Sequence, residues 1–367
     1  MTESDGKLVC VIIPALHRPD LTERCISSLH RQTFPTGQYE IVVVENEARP
    51  GMSLPVPPTG NLRIMELMHN YGTTGSINRA CAQTVSKYVL FINNDVELHP
   101  SFLDILVALL EKNDTYAFAT GKLLNARERE HFDGAGDAII AGGGAYRLGH
   151  GDVDCGQYDS CMHVIAGCGA ATLFRRSALD EVRGLDEDFF AYLDDVDLGL
   201  RLHLHGYRGV YIPSAVGFHL GSATLGGNSL HPKIVEWLTR NQILLIVKDY
   251  PGAVLIRLLP PIFIFQLLWF IFVLAHGRIG PYLKGMSGTL RLLPKMLRKR
   301  RCLMRQRRVT SDVFLSALLS SEQQVYKWYG SQSPGLRPRF LKTYFQLLRR
   351  YCLRLQSRSA VEGFAER

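Results

Sequence analysis

Four apolar runs in the first hundred positions each break off into polar residues. Leu8-Val9-Cys10-Val11-Ile12-Ile13 ends at Pro14, and Tyr39-Glu40-Ile41-Val42-Val43-Val44 ends at Glu45-Asn46. Asn61 to Leu67 makes a shorter third run, and Tyr88-Val89-Leu90-Phe91-Ile92 stops at Asn93-Asn94-Asp95. Runs rich in β-branched and aromatic residues at this length predict buried strands. Between them, Asp20 to Leu29 and Ser76 to Val85 space their apolar residues every three or four positions and predict helices. Such alternation predicts an α/β architecture, a mostly parallel sheet with helices on both faces. Ligands of open α/β sheets bind beyond the carboxyl ends of the strands, which makes Asn93-Asn94-Asp95 the first candidate site. The same residues also suit a plain turn, because Asn and Asp bond their own backbone; the pattern leaves both readings open.

Further along, Pro100 to Leu110 predicts a helix with proline in its first turn, and Tyr116 to Leu124 a strand. Phe132 to Cys161 is rich in Gly and Asp, includes Gly142-Gly143-Gly144 and has weak periodicity, predicting loops along one wall of the site. Regular structure resumes at Val164 to Arg175, with a helix from Ser177. Asp186 to Leu202 is the densest acidic stretch, with Asp186, Glu187, Asp188, Asp194, Asp195 and Asp197 set among Phe189, Phe190 and Tyr192. A helix opening near Asp194 would attract carboxylates to its positive end. Capping explains one or two of them; aromatic residues packed among repeated Asp would instead raise the pKa of at least one. Tyr207 to Ile212 predicts another strand, followed by a polar turn from Phe218 to Thr224. His219, in that turn, is either a structural hydrogen-bonding residue or a ligand.

Composition adds scale. A chain of 367 residues, 46% of them hydrophobic, can bury a full core and an appendage, which excludes a disordered protein. Its eight cysteines form no Cys-x-x-Cys pair, and Met1 to Cys10 does not read as a secretory leader; both point to a reduced, cytosolic compartment. The net charge of +8 conceals a split: residues 1–251 hold 21 Lys/Arg and 30 Asp/Glu, residues 252–367 hold 21 and 4. A basic tail of this kind meets an anionic surface, membrane or nucleic acid. Leu258 to Ala275, uncharged for 18 residues, favours membrane. Eight Lys/Arg follow between Lys295 and Arg308. A single crossing would put them opposite the first domain, against the positive-inside rule, so a re-entrant or in-plane segment fits better. A buried dimer helix is the alternative. Residues 309–367 read as amphipathic helix. No interleaving of aromatic and basic residues on a recognisable module supports nucleic-acid binding.

The ordered motifs Val11-Ile12-Ile13-Pro14, Ile41 to Asn46, Asn70-Tyr71-Gly72 with Asn78, Asn93-Asn94-Asp95, Phe189 to Leu198 and His219 resemble glycosyltransferase family 2. These are inverting, nucleotide-sugar-dependent enzymes of the GT-A fold, and the likeness covers residues 7–250. Within the family, Asn-Asn-Asp and Asp-Asp-Val-Asp-Leu look most like the bacterial rhamnosyltransferase branch, which builds cell-surface polysaccharide. The resemblance implies a Rossmann-like transferase domain over residues 1–250; hydropathy and charge add a membrane-associating segment over 251–308 and a basic helical tail over 309–367. It implies that Pro14, Ala15, His17, Arg18, Glu45, Asn46, Asn70, Gly72, Asn78, Asn93 and Asn94 surround the donor nucleotide. Asp95, with His219, would hold Mg2+ or Mn2+ against the diphosphate.

Asp195 corresponds to the general base, which takes the acceptor proton; Asp194, if ionised, raises its proton affinity by like-charge repulsion. Gly167, Cys168, Gly169 and Tyr192 would face the sugar or acceptor, and Arg240-Asn241 matches a motif that closes the catalytic region. The implied partners are a dTDP- or UDP-sugar, a glycan or lipid-linked acceptor and the membrane surface, with a homo-oligomer allowed and no nucleic acid. The implied location is the cytoplasmic face of the plasma membrane. The alternatives are the same chemistry on galactofuranose, glucose or N-acetylglucosamine, and a membrane-bound scaffold that binds nucleotide without turnover.

Overall fold

The computed structural model describes residues 6–48, 60–221, 230–332 and 339–365. The first part of the chain forms β1 (Val9–Ala15), α1 (Pro19–His30), β2 (Tyr39–Asn46), β3 (Leu62–Leu67), α2 (Gly72–Cys81), β4 (Tyr88–Ile92), β5 (Val96–Leu98) and α3 (Phe102–Lys112). Then come β6 (Tyr116–Asn125), β7 (Phe132–Gly134), β8 (Asp137–Ile139), β9 (Ala145–Arg147), β10 (Met162–Val164), β11 (Ala171–Arg175), α4 (Arg176–Glu181), α5 (Asp194–Leu204) and β12 (Arg208–His219). Six helices finish it: α6 (Pro232–Asp249), α7 (Gly252–Arg257), α8 (Leu259–Ala275), α9 (Ile279–Gln306), α10 (Ser311–Ser331) and α11 (Arg339–Ala365).

The main sheet runs β10-β12-β6-β11-β4-β1-β2-β3, with β5 added on β12 and β7 on β6. β1 pairs in parallel with β2 and β4, β2 with β3, and β6 with β12. β11 lies antiparallel between β4 and β6. Every long strand except β11 therefore points the same way, and the carboxyl ends of β1, β2, β4, β6 and β12 share one edge. Both faces are covered, which is why the central β1 and β4 are apolar at every position. Val9, Val11 and Ile13 enter a layer with Cys25, Leu29, Phe102 and Leu106 from α1 and α3. Cys10 and Ile12 enter the opposite layer, which takes in Ile77 and Ala80 of α2 and continues to Leu318, Leu348 and Cys352 in α10 and α11.

Two stretches depart from the expectation. Phe132 to Cys161 is loop only in its second half: residues 132–147 contain β7, β8 and β9, with 132–144 buried throughout, whereas residues 150–161 carry no helix or strand and are mostly exposed. Gly142 and Gly144 press so closely on Phe265 that a Cβ there would lie 2.3–2.4 Å from its side chain. Glycine here serves tight packing rather than an open loop. His219 is the last residue of a twelve-residue strand and not part of a turn. Pro213 has no backbone donor for the ladder, and the register shifts between Ile212 and Val216 before pairing resumes; the expected turn residues Ser222, Ala223 and Thr224 lie outside the described residues. Among the described residues, no helix is long and apolar enough to cross a membrane. The 17-residue α8 instead buries Phe265, Trp269 and Val273 against the protein.

Candidate active site

The strand ends converge as parallel topology requires, and most of the amides there serve to shape the backbone. Pro14 and Ala15 close β1 opposite Val44 and Glu45. His17, with φ of 51°, meets the carbonyl of Glu47 through Nε2 at 3.1 Å. Arg18 forms a two-point pair with Asp20 at 2.7 and 2.9 Å and lies within the field of Asp95. Asn46 donates to Oδ1 of Asn70 at 2.9 Å and accepts from the Tyr71 amide at 2.9 Å, and Asn70 also accepts from the Gly72 amide. Together they fix the turn that opens α2. Gly72, with φ of 70°, is needed there, because a Cβ would lie 2.3 Å from the carbonyl oxygen of Phe190. Asn78 points elsewhere: it donates to Leu185 at 2.8 Å and accepts from the Leu185 amide at 3.0 Å, pinning the approach to the acidic cluster. Asn93 anchors its amide on the carbonyl of Ala170, and Asn94 turns its side chain back to Thr22 of α1 at 3.1 Å.

Asp95 is the residue of this trio that faces the site. Its Oδ1 lies 3.2 Å from Nε2 of His219, whose Nδ1 meets Oδ2 of Asp133 at 2.7 Å. Burial alone would lower the His219 pKa, but Asp133 and Asp95 outweigh it and raise it to about 9. Arg147 continues the chain, 2.8 Å from Asp133 and 3.5 Å from Asp137. Burial works against ionised Asp133, yet Arg147 and His219 hold its carboxyl well below the usual range. Asp137 is pushed the other way: burial raises it, Arg147 opposes the rise, and the neighbouring charge of Asp195 adds to it. A series of ion pairs, Asp95–His219–Asp133–Arg147–Asp137, thus runs from the end of β4 to a carboxyl that feels the charge of Asp195 at the start of α5.

Asp194 and Asp195 form the first turn of α5, and Oδ1 of Asp195 accepts from the Val196 amide at 2.8 Å. Gly169 lets the backbone lie against this carboxylate: a Cβ there would sit 2.7 Å from Oδ2 of Asp195. Gly167 packs on Thr172, and buried Cys168 has its thiol pushed far above its ordinary value by burial, so it is no nucleophile. Asp194 is pushed up to about 8, by burial first and by Asp195 second. The third acid of the helix, Asp197, faces away and pairs with Arg201 at 2.8 Å and with buried Lys248. Only part of the acidic cluster is therefore available for chemistry.

The approach to α5 is strained. Phe190, Tyr192 and Leu193 have φ of 67°, 66° and 63°, a left-handed region that costs non-glycine residues roughly 1–2 kcal/mol each. Asn241 of α6 holds them, its Nδ2 donating to the carbonyls of Ala191 at 2.9 Å and Tyr192 at 2.7 Å, while Arg240 reaches Phe189 at 2.7 Å. Trp237 stacks beside Phe190 and Tyr192. The Arg240-Asn241 pair thus shapes the backbone that presents Asp194 and Asp195.

Sequence reasoning missed Asp133, Asp137 and Arg147. Their signal was the run of Asp and Gly between Phe132 and His150, which periodicity cannot interpret. Among the described residues, no three His, Cys, Asp or Glu side chains form a metal cluster. Asp95 offers one carboxylate and His219 one imidazole once a cation displaces its Nε2 proton, with Asp133 orienting the ring from behind as a carboxylate does for a metal-bound histidine. This donor set fits a hard divalent cation whose other positions are filled by phosphate oxygens and water. A separate cavity of about 650 Å³ lies at the other end of α5, between Gly199, His203 and α10, and contains none of these acids.

The chain is 28% identical over 242 residues to the O-antigen biosynthesis protein RfbC of Myxococcus xanthus, across 63% of this chain and 18% of that one. It is 30% identical over 201 residues to the N-acetylglucosaminyl-diphospho-decaprenol L-rhamnosyltransferase of Mycobacterium tuberculosis, across 43% of this chain and 59% of that one. The chain therefore spans less than two thirds of the length of either relative. The crystal structure of GalNAc-T7 with UDP, GalNAc and Mn2+ superposes with a TM-score of 0.54 at 11% identity, across 73% of this chain and 52% of that one, a likeness of fold. Residues 6–242 match the model for glycosyltransferase like family 2, well over half of the chain, and the protein belongs to that family.

Proposed function

We propose that this chain transfers a single sugar, rhamnose, from a nucleoside diphosphate donor to a hydroxyl of a glycan or lipid-linked acceptor, inverting the anomeric centre. The names of its relatives support the sugar and the setting in cell-surface polysaccharide synthesis. The observation that carries the reading is the series of ion pairs from Asp95 through His219, Asp133 and Arg147 to Asp137, whose carboxyl feels the charge of Asp195, a residue a hundred positions from Asp95. Asp195 takes the proton from the acceptor hydroxyl as its oxygen bonds to the anomeric carbon. The bond from that carbon to the diphosphate breaks on the opposite face, and the diphosphate departs with the electron pair. Asp95 and His219 would hold Mg2+ or Mn2+, which when bound neutralises the charge gathering on the leaving diphosphate. Arg147 keeps Asp137 beside Asp195, and Asn241 keeps the turn before α5 in place.

The test is Asp195→Asn, assayed with dTDP- and UDP-sugars. Transfer should fall by roughly a hundredfold or more, while the thermal shift given by the nucleotide sugar is retained. Transfer at the wild-type rate would overturn the assignment.

A further inference from the structure

We infer that α8, α9 and α11 form a face that lies flat on an anionic bilayer, a binding role independent of the sugar-transfer reading. The apolar part is a ridge along α8: Phe263, Leu267, Ile271 and Leu274 recur at helical spacing and are 44–69% exposed, while Phe265, Trp269 and Val273 on the other side are buried in the protein. α8 has α11 as one neighbour, through Phe265 and Phe272 against Phe340, and α9 as another, through Phe270 against Tyr282. The neighbouring α9 carries its own exposed row, Leu283, Leu290 and Leu297, one every seven residues. One position after each leucine stands an exposed cation, Lys284, Arg291 or Arg298. A row of leucines beside a row of cations is the pattern of a helix lying in the interfacial plane, its apolar side chains below the headgroups and its charges among them.

The cations that face outward are not the ones that hold the fold together. Lys295 and Lys299 pair with Asp188 and Asp186, Arg300 donates to the carbonyls of Val247 and Tyr250, and Arg308 pairs with Glu181. These fasten α9 to the protein. Lys284, Arg291 and Arg298, one position after each exposed leucine, are exposed and outside these pairs, as are Arg301 and Arg305 at the far end of the helix.

Charge also decides the occupant. Residues 252–306 contain ten Lys/Arg and no Asp or Glu. A second copy of the chain laid on this face would bring two sets of cations together with no carboxylate between them, at a repulsive cost. Anionic headgroups supply the opposite charge and acyl chains accept the ridge, so a phospholipid surface satisfies both halves of the pattern.

Sedimentation of the full chain with vesicles tests this. The protein should pellet with equal parts phosphatidylglycerol and phosphatidylcholine, and far less with phosphatidylcholine alone or at high salt. Replacing Lys284, Arg291 and Arg298 together with Gln should weaken partition by about fivefold per charge, roughly a hundredfold in all. Phe263→Asp with Leu267→Asp should abolish it. Both sets alter exposed side chains outside the active site, so thermal midpoints and transfer to a short soluble acceptor should hold, which separates loss of membrane binding from loss of fold or of the proposed reaction. Equal binding to both vesicle types, or no binding to either, overturns the inference. So does a concentration-dependent dimer, seen by equilibrium sedimentation without lipid, that the Asp substitutions dissolve.

Discussion

At the residue scale, Asp194 shows how a neighbour and burial divide two adjacent carboxyls. Its folded pKa near 8 stands above the ordinary value of 3.8, so folding takes up a proton between those limits. The stability tied to that proton is present below the unfolded pKa and is lost as pH rises through the folded one. Asp194→Asn should therefore raise the melting temperature relative to wild type by more at about pH 9 than at about pH 4. The kcat/KM profile of the wild type should show an inflection near 8, where Asp194 ionises beside the reacting carboxylate; the Asn variant should lack it. Parallel melting curves at both pH values would count against this account. Asp95, Asp194, Asp195 and His219 were legible in the sequence because each follows an apolar run or sits in an acidic cluster. Asp133, Asp137 and Arg147 were not, since nothing local shows which distant carboxylate an isolated Asp will meet. Asn78 and Asn94 show the converse: a polar residue at the right place in a motif can have its side chain bound by the backbone or a nearby hydroxyl.

At the element scale, the β8–β9 hairpin brings Asp137 and Arg147 to the site, and the C-terminal helices support it. Ser321 accepts from the Ile139 amide at 2.8 Å, and Glu322 accepts from the Ala141 amide at 2.6 Å and from the Tyr344 hydroxyl at 2.8 Å. The helices after residue 250 thus contribute to the architecture of the site, which their composition did not reveal. Glu322→Leu would leave a buried amide and a buried hydroxyl without partners, a loss of about 1–3 kcal/mol for each group. The expected result is a lower unfolding midpoint in urea and a fall in kcat larger than any change in donor KM, since the hairpin carries Asp137 rather than the nucleotide contacts. Unchanged kcat in a destabilised variant would show that the hairpin keeps its place without this support. The βα alternation was readable because periodicity reports burial directly. The hairpin was not, because three-residue strands set among glycines carry no period and are fixed by what packs over them.

At the scale of the whole molecule, the site joins two parts of one sheet. Asp95 follows β4, in the parallel group of β1 to β4, whereas His219 ends β12, beyond the antiparallel β11. A cation shared by Asp95, His219 and a diphosphate would tie both groups to the donor, with only two ligands supplied by the protein. Metal alone should then bind weakly and shift the melting temperature little, and nucleotide alone should shift it modestly. The two together should give a coupled shift larger than the sum. At a ligand concentration a hundred times Kd, mass action contributes about 2.7 kcal/mol. For a chain this large, each kcal/mol corresponds to about 2–4 °C or less, so a saturated complex should melt several degrees higher. EDTA should remove the metal-dependent part and leave the nucleotide part, and Asp95→Asn should do the same without EDTA. Additive shifts, or a coupled shift that survives Asp95→Asn, would show that the cation is held elsewhere and that Asp95 and His219 meet only to bring the two strand groups together.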